Sequence, residues 1–319
     1  MEKKKKVCLR YRDFELLLFL SEYGIISNEN VKLHYNSKYY YKNRLASLAK
    51  GDMVERIYGK VVLGAKGKSY LNKAGLGYRN INRNEHYKKR MEIISNISCK
   101  FKSCGWYFEP SWKCEINKYT QRGNRFIGVV SRETRWYEEN DENFFNRSFI
   151  VYYIQNDIAK KELKYIYREI ERHNFKFYGL IVFTEIDLDC YKNKFKDYRF
   201  KELYVIPFNN NIWKYFNLIK DENYMKNKTK EIFGEKLKSL KAKSFFEDYY
   251  FKEDDIYTYV YYMPFVNFYM LHYINFQATD SLLNGTKATV VCPDVCVDYI
   301  RKYLHECVEV TCVSDEVVI

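Results

Sequence analysis

Apolar residues Phe14, Leu17, Leu18 and Leu20 share one face of a helical turn pattern, with Asp13 placed to cap its start and Gly24 to close it. Ser27 or Asn28 then caps a short second helix around Glu29–His34. Asn36-Ser37 opens a third, Lys38–Lys50, whose apolar positions Tyr41, Leu45 and Leu48 follow an i, i+4, i+7 stripe up to Gly51. Alternation replaces helical spacing in Met53–Tyr58 and Lys60–Leu63, two strands around a turn at Gly59. A further helix follows from the segment Lys66–Gly75.

Residues 76–90 are polar and basic, which sets a domain boundary near 85 and divides the chain into 1–85 and 86–319. Beyond it the pattern predicts a helix near Tyr87–Lys102, extended segments Trp106–Glu109 and Phe126–Arg132, and a strand Phe149–Ile154. A helix from Ala159 to His173, strand Tyr178–Thr184 and the run Leu203–Pro207 come next. Strands interleaved with helices of this length argue an α/β or α+β domain. Asp221–Asp255 reads as helical, and a terminal strand-helix-strand around Cys292–Cys312 is expected to close the same sheet.

Length and composition agree with two globular domains: 319 residues, 47% hydrophobic and 30% charged. No apolar run approaches the roughly 18 residues of a membrane span, and the segment behind Met1–Lys6 is too polar for a signal-peptide core, so a cytoplasmic protein is expected. The abundant Tyr, Phe, Lys and Asn reflect an AT-rich coding bias more than a binding surface. Charge adds more. Residues 1–90 hold 21 Lys+Arg against 8 Asp+Glu, whereas the other 229 residues hold 33 of each. The whole formal excess of +13 thus sits in the first 90 residues, an electrostatic footprint for a polyanion, nucleic acid before a membrane surface. A solvated lysine-rich arm is the bland alternative.

Three helices followed by a hairpin resemble a winged helix-turn-helix, and the stretch Tyr41–Arg56 looks like its recognition helix running into the wing. The resemblance implies DNA-facing positions at Ser37, Lys38, Tyr39, Lys42 and Asn43, with Lys60 at the wing. With Tyr41, Leu45 and Leu48 packed inward, Lys42 and Asn43 turn outward, where Lys meets phosphate or guanine and Asn pairs with adenine. Arg44 has two roles open to it, a phosphate anchor or a pairing within the domain. A winged helix followed by helix, hairpin, strand, helix and strand, over about residues 12–208, resembles the replication-relaxation family of plasmid and conjugative-element proteins. That resemblance implies a restriction-endonuclease-like mixed-sheet second domain and work on double-stranded DNA in replication or transfer, beside other replication or transfer proteins. A single winged helix reads only a few base pairs, so a homo-oligomer assembled through residues 86–319 is expected.

Nuclease chemistry needs carboxylates and a lysine on adjacent strands to hold Mg²⁺ and activate water. The candidate strands offer only Glu133, Asp157 and Lys160 at their ends, with no D-x-K, so a scaffold or assembly role is expected ahead of catalysis. A metal-dependent nicking enzyme and a transcriptional repressor remain the alternatives. P-loop, dinucleotide and nucleophile-elbow motifs do not occur, the five histidines lack metal spacing, and no cofactor or metal is expected. Cys99, Cys104 and Cys114, and Cys292, Cys296, Cys307 and Cys312 beside His305, lack the tight knuckles of zinc sites. The aromatic run Tyr257–Tyr273 reads as a buried element before a stacking platform for single-stranded bases.

Overall fold

The computed structural model describes residues 7–114, 125–132 and 148–313, except positions 36, 38, 82–83, 157, 174–175, 196–197, 199, 210, 222 and 240–248. It is a mixed α/β protein of two compact units, Met1–Ser103 and Cys104–Ile319.

The first unit runs α1 (Tyr11–Tyr23), β1 (Ile25–Ser27), α2 (Asn28–Tyr35), α3 (Tyr40–Lys50), β2 (Val54–Ile57), β3 (Lys60–Leu63), α4 (Ala65–Lys73) and α5 (Glu85–Ser103). Gly24, at φ 77°, returns its amide to the Leu20 carbonyl and ends α1 as an αL cap. Asp13 is not the cap expected of it: Arg10 occupies that position, and Asp13 lies inside the first turn, its Oδ2 accepting the Arg10 amide at 2.8 Å. Ser27 Oγ accepts the Asn30 amide at 3.3 Å, as a cap for α2 should. Tyr58 and Gly59, at φ 45° and 77°, give the two-residue turn of a hairpin whose strand twist demands positive φ at both positions. The three strands lie in the order β1-β3-β2, all antiparallel. Strand β1 escaped the periodicity because three residues are too few to alternate; its pairing Ile26↔Val61 with β3 makes it a strand. Leu16, Leu20, Val31, Leu48, Val61 and Leu71 form the core.

The boundary expected near 85 falls instead after Ser103, because α5 is part of this unit. Met91, Ile94, Ile97 and Phe101 are buried, and α5 packs on β1, α2 and α1. Asn96 Oδ1 accepts the Asn30 side-chain amide at 2.9 Å and the Ser27 backbone amide at 3.3 Å, and Ser98 Oγ donates to the Tyr23 hydroxyl at 2.8 Å.

The second unit begins with β4 (Tyr107–Pro110), β5 (Gly128–Ser131), β6 (Ser148–Ile154), α6 (Lys160–His173), β7 (Gly179–Thr184), β8 (Glu202–Pro207), α7 (Trp213–Leu218) and α8 (Tyr224–Phe233). It continues with β9 (Lys238–Ser239), β10 (Tyr249–Glu253), β11 (Ile256–Tyr262), α9 (Phe268–Asn284), β12 (Lys287–Pro293), α10 (Val297–Tyr303) and β13 (Val308–Val313). These strands form two sheets with one plan. In the first, order β4-β5-β6-β7-β8, β5 runs antiparallel to both neighbours and β6, β7 and β8 are parallel. In the second, order β9-β10-β11-β12-β13, β10 is antiparallel to both neighbours and β11, β12 and β13 are parallel. In each, a three-strand meander passes through a crossover helix, α6 or α9, into the parallel strands. The continuous apolar runs of β6 and β7 follow from burial on both faces.

Two expectations change here. Asp221–Asp255 is not one helix: α8 stops at Phe233, and Gly234 leads into the meander of the second sheet. The terminal strand-helix-strand joins that second sheet and does not close the first. The aromatic run divides into β11 and the start of α9, with Tyr261, Met263, Phe265 and Phe268 buried. The two sheets meet where the Val205 amide donates to the Val266 carbonyl at 2.9 Å, beside Phe265 packed on Tyr204 and Phe216 at centroid distances of 5.3 and 5.0 Å.

Candidate nucleic-acid interface

Helix α3 lacks a capping side chain at Tyr39, and Ser37 supplies a substitute: its Oγ accepts the Tyr40 amide at 3.2 Å. Ser37 therefore orders the start of α3 whatever else it touches. Leu45 and Leu48 point into the core, Tyr41 is half-buried, and Lys42 and Asn43 are exposed side by side. Tyr39 is 71% exposed at the helix start. Lys38 lies outside the described residues.

Arg44 takes the second of the roles open to it. Its Nη2 pairs with Asp13, its Nε lies 3.3 Å from Asp13 Oδ1, and Nη2 also donates to the Cys8 carbonyl at 3.0 Å. Asp13 is fully buried and accepts a further 2.8 Å bond from the Tyr35 hydroxyl. Burial raises the Asp13 carboxyl, but the bonds from Arg44, the Arg10 amide and Tyr35 outweigh it and hold the pKa below its ordinary value. The pair fixes the rotation of α3 about its axis: with Arg44 drawn in toward α1, Lys42 and Asn43 face away.

Lys60 is also partnered inside the unit, its Nζ 2.6 Å from Glu92 of α5. An ion pair at that distance occupies the cation expected at the wing. The exposed hairpin positions are Glu55, Arg56, Ile57, Tyr58 and Gly59, with Tyr58 98% exposed at the turn and the Glu55 carboxylate beside Arg56. Tyr58 stands at positive φ before Gly59, where Asn or Asp is usual, and a tyrosine at such a turn position is the only sign the sequence carries of this exposed ring. Through Ser103 the first unit holds 23 Lys+Arg against 9 Asp+Glu, leaving 31 against 32 in the second. Half-buried His34 has its Nε2 3.6 Å from Cys99 Sγ; burial, then the charge of Lys102, lower the His34 pKa to about 4.

In the second unit, Glu133 and Asp157 lie outside the described residues, and Lys160 stands exposed at the start of α6. The strands themselves, Gly128–Ser131 and Ser148–Ile154, carry no carboxylate. Among the described residues no group of three or more His, Cys, Asp and Glu side chains is placed to hold a metal. The cysteines are spread over separate elements as free thiols: Cys104 donates to the Trp213 carbonyl at 3.1 Å, Cys114 to Pro110 at 3.5 Å, and Cys307 lies 2.9 Å from His305 Nδ1. No helix among the described residues is long and apolar enough to cross a membrane. Comparison with protein-family models, curated proteins and solved structures returns no match to this chain.

Proposed function

We propose that the chain is a sequence-specific double-stranded DNA-binding protein whose first unit acts as a winged helix. Helix α3 enters the major groove with Lys42 and Asn43, and the β2–β3 hairpin lies along the backbone with Arg56 and Tyr58. The observation that carries the reading is the pinned rotation of α3: Arg44 and both leucines are spent inside the unit, leaving a cation and a carboxamide adjacent on its exposed face. A carboxamide pairs with adenine and a lysine with guanine or phosphate. The localised positive charge supplies the non-specific attraction.

The host process is replication initiation or transfer of a plasmid or related mobile element, on the resemblance to the replication-relaxation family. The strand order β4 to β8, with β5 antiparallel to the rest, supports the restriction-endonuclease-like sheet that this resemblance implies. Binding-site selection from random duplexes with the full chain tests the reading. It should yield a motif with A·T preference at one position that Asn43→Ala relaxes, while Lys42→Ala lowers affinity for every sequence. Recovery of no motif, or of the same motif and affinity with both variants, would overturn it.

A further inference from the structure

Three arginines surround the junction of α1, α2 and the start of α3, and they differ in what occupies them. Arg44 gives its charge to Asp13, and Arg12 donates from Nη1 to the Tyr35 carbonyl at the end of α2. Arg10, the exposed N-cap residue of α1, meets no carboxylate among the described residues. Asp13 accepts only its backbone amide, at 2.8 Å, and Glu2 lies outside those residues. Helix α3 offers no acid anywhere along its length. The Arg10 guanidinium is nonetheless held in place. Its carbon lies 5.5 Å from the centroid of the Tyr40 ring, and its Nη1 donates to the Tyr40 hydroxyl. Tyr40 in turn packs edge-on against buried Tyr35, with ring centroids 6.1 Å apart, so the ring that carries Arg10 is itself supported.

A guanidinium carries its N–H donors in one rigid plane, and the Tyr40 hydroxyl takes only one of them. The rest of the fork keeps a full positive charge. An exposed arginine ordinarily loses rotamer freedom when it grips a ligand, and stacking on a fixed ring removes part of that cost beforehand. Its place is also defined. Tyr40 and Asn43 are i, i+3 neighbours on α3, so Arg10 stands on the flank of the exposed face, at the side of Asn43. A planar, charged fork beside a recognition face matches a phosphate, which guanidinium binds through two parallel hydrogen bonds. Contacts of that kind set the position of a protein on the duplex, while the groove-facing side chains read the bases.

We propose that Arg10, oriented by Tyr40, binds a backbone phosphate of duplex DNA at the flank of α3 and so fixes the register in which Lys42 and Asn43 meet the bases. The assignment rests on the duplex-binding reading above and adds to it a contact from α1, with Tyr40 as a positioning residue. Fluorescence anisotropy of the full chain with a labelled pool of random-sequence duplexes, repeated over a salt series, tests it. Arg10→Ala should weaken binding roughly tenfold, as loss of a charge-assisted contact does, and make the logarithmic salt slope shallower by about 0.9. Arg10→Lys should keep the slope and lose part of the affinity, because an ammonium lacks the planar fork. Tyr40→Phe keeps the ring and removes the hydroxyl; it should weaken the wild-type chain severalfold and have no further effect on Arg10→Ala. Site selection with Arg10→Ala should return an unchanged motif. If the wild-type chain binds and Lys42→Ala weakens it while Arg10→Ala does not, the duplex reading stands and the Arg10 assignment falls. An altered motif would also overturn it, by placing Arg10 on a base edge. A lowered melting temperature with unchanged affinity and slope would mean that Arg10 only ties α1 to α3. Should Arg10→Ala unfold the chain, Arg10→Lys with undiminished affinity would count against the fork. No duplex binding by the wild-type chain would remove both readings together.

Discussion

Arg44 and Asp13 show how one buried pair governs a surface. Replacing Arg44 with Leu strands a fully buried carboxylate, and uncompensated charges of this kind cost about 3–5 kcal/mol. Urea unfolding of the variant should report a loss of that size, smaller if the Tyr35 and Arg10 bonds hold the carboxylate. Asp13 also predicts acid sensitivity. Its folded pKa is lowered, so its contribution is present above about pH 3.9, the unfolded value, and is lost as pH falls through the folded one. Histidine acts at higher pH. His173 is 2% exposed, neither ring nitrogen has a hydrogen-bond partner among the described residues, and burial, then Lys176 and Arg172, lower its pKa to about 4. The unfolded chain takes up this proton near 6.5 and the folded protein only near 4, so stability should fall as pH drops across that window. His173→Phe removes two unsatisfied buried atoms. It should stabilise at neutral pH, by up to about 1–3 kcal/mol, and flatten the thermal-unfolding profile between pH 6.5 and 4.

Among the elements, the β2–β3 hairpin separates structure from recognition. Tyr58 sits at φ 45° before Gly59, a position that Asn occupies with less strain. Tyr58→Asn should therefore stabilise the unit slightly, by about 0.5–1 kcal/mol, since the ring is exposed and packs on little. If the hairpin contacts DNA as proposed, the same change lowers duplex affinity while melting temperature rises; parallel loss of both would mean that the ring serves the fold. Helix α5 poses the complementary question. A fragment 1–85 loses the buried Met91, Ile94, Ile97 and Phe101 and exposes their partners on β1 and α2, whereas 1–103 keeps them. Circular dichroism should show cooperative unfolding for 1–103 and a poorly ordered 1–85. Much of this level was legible in the sequence. The helices of the first unit, the hairpin, and β5 to β8 with α6 all follow from apolar spacing and from the glycines at Gly24, Gly51 and Gly59. Strands β1 and β9 were not, because runs of three and two residues are too short to show a period and exist only through their partners.

For the whole molecule, a single winged helix buries about 600–1,000 Å², too little alone for the nanomolar affinities of specific binders. We expect assembly through the second unit to add the missing contacts, with half-sites spaced near multiples of 10–10.5 base pairs. Fragment 1–103 should keep the sequence preference of the full chain and lose cooperativity on paired sites, as measured by mobility shift. Observed affinity should fall with salt at a logarithmic slope near −0.9 per phosphate contact, and Lys42→Ala should make the slope shallower by about one contact. The sequence by itself determined where the positive charge lies, which helices and which hairpin build the first unit, and that Leu45 and Leu48 face inward, since these depend on composition and on contacts a few residues apart. Only the tertiary structure decided that Lys60 and Arg44 are spent on Glu92 and Asp13, that α5 belongs to the first unit, and that Lys238–Val313 repeats the plan of Tyr107–Pro207 as a second sheet. Each of those depends on partners well outside the reach of a local pattern, which cannot tell which distant carboxylate a cation will meet, or which strand a strand will pair with.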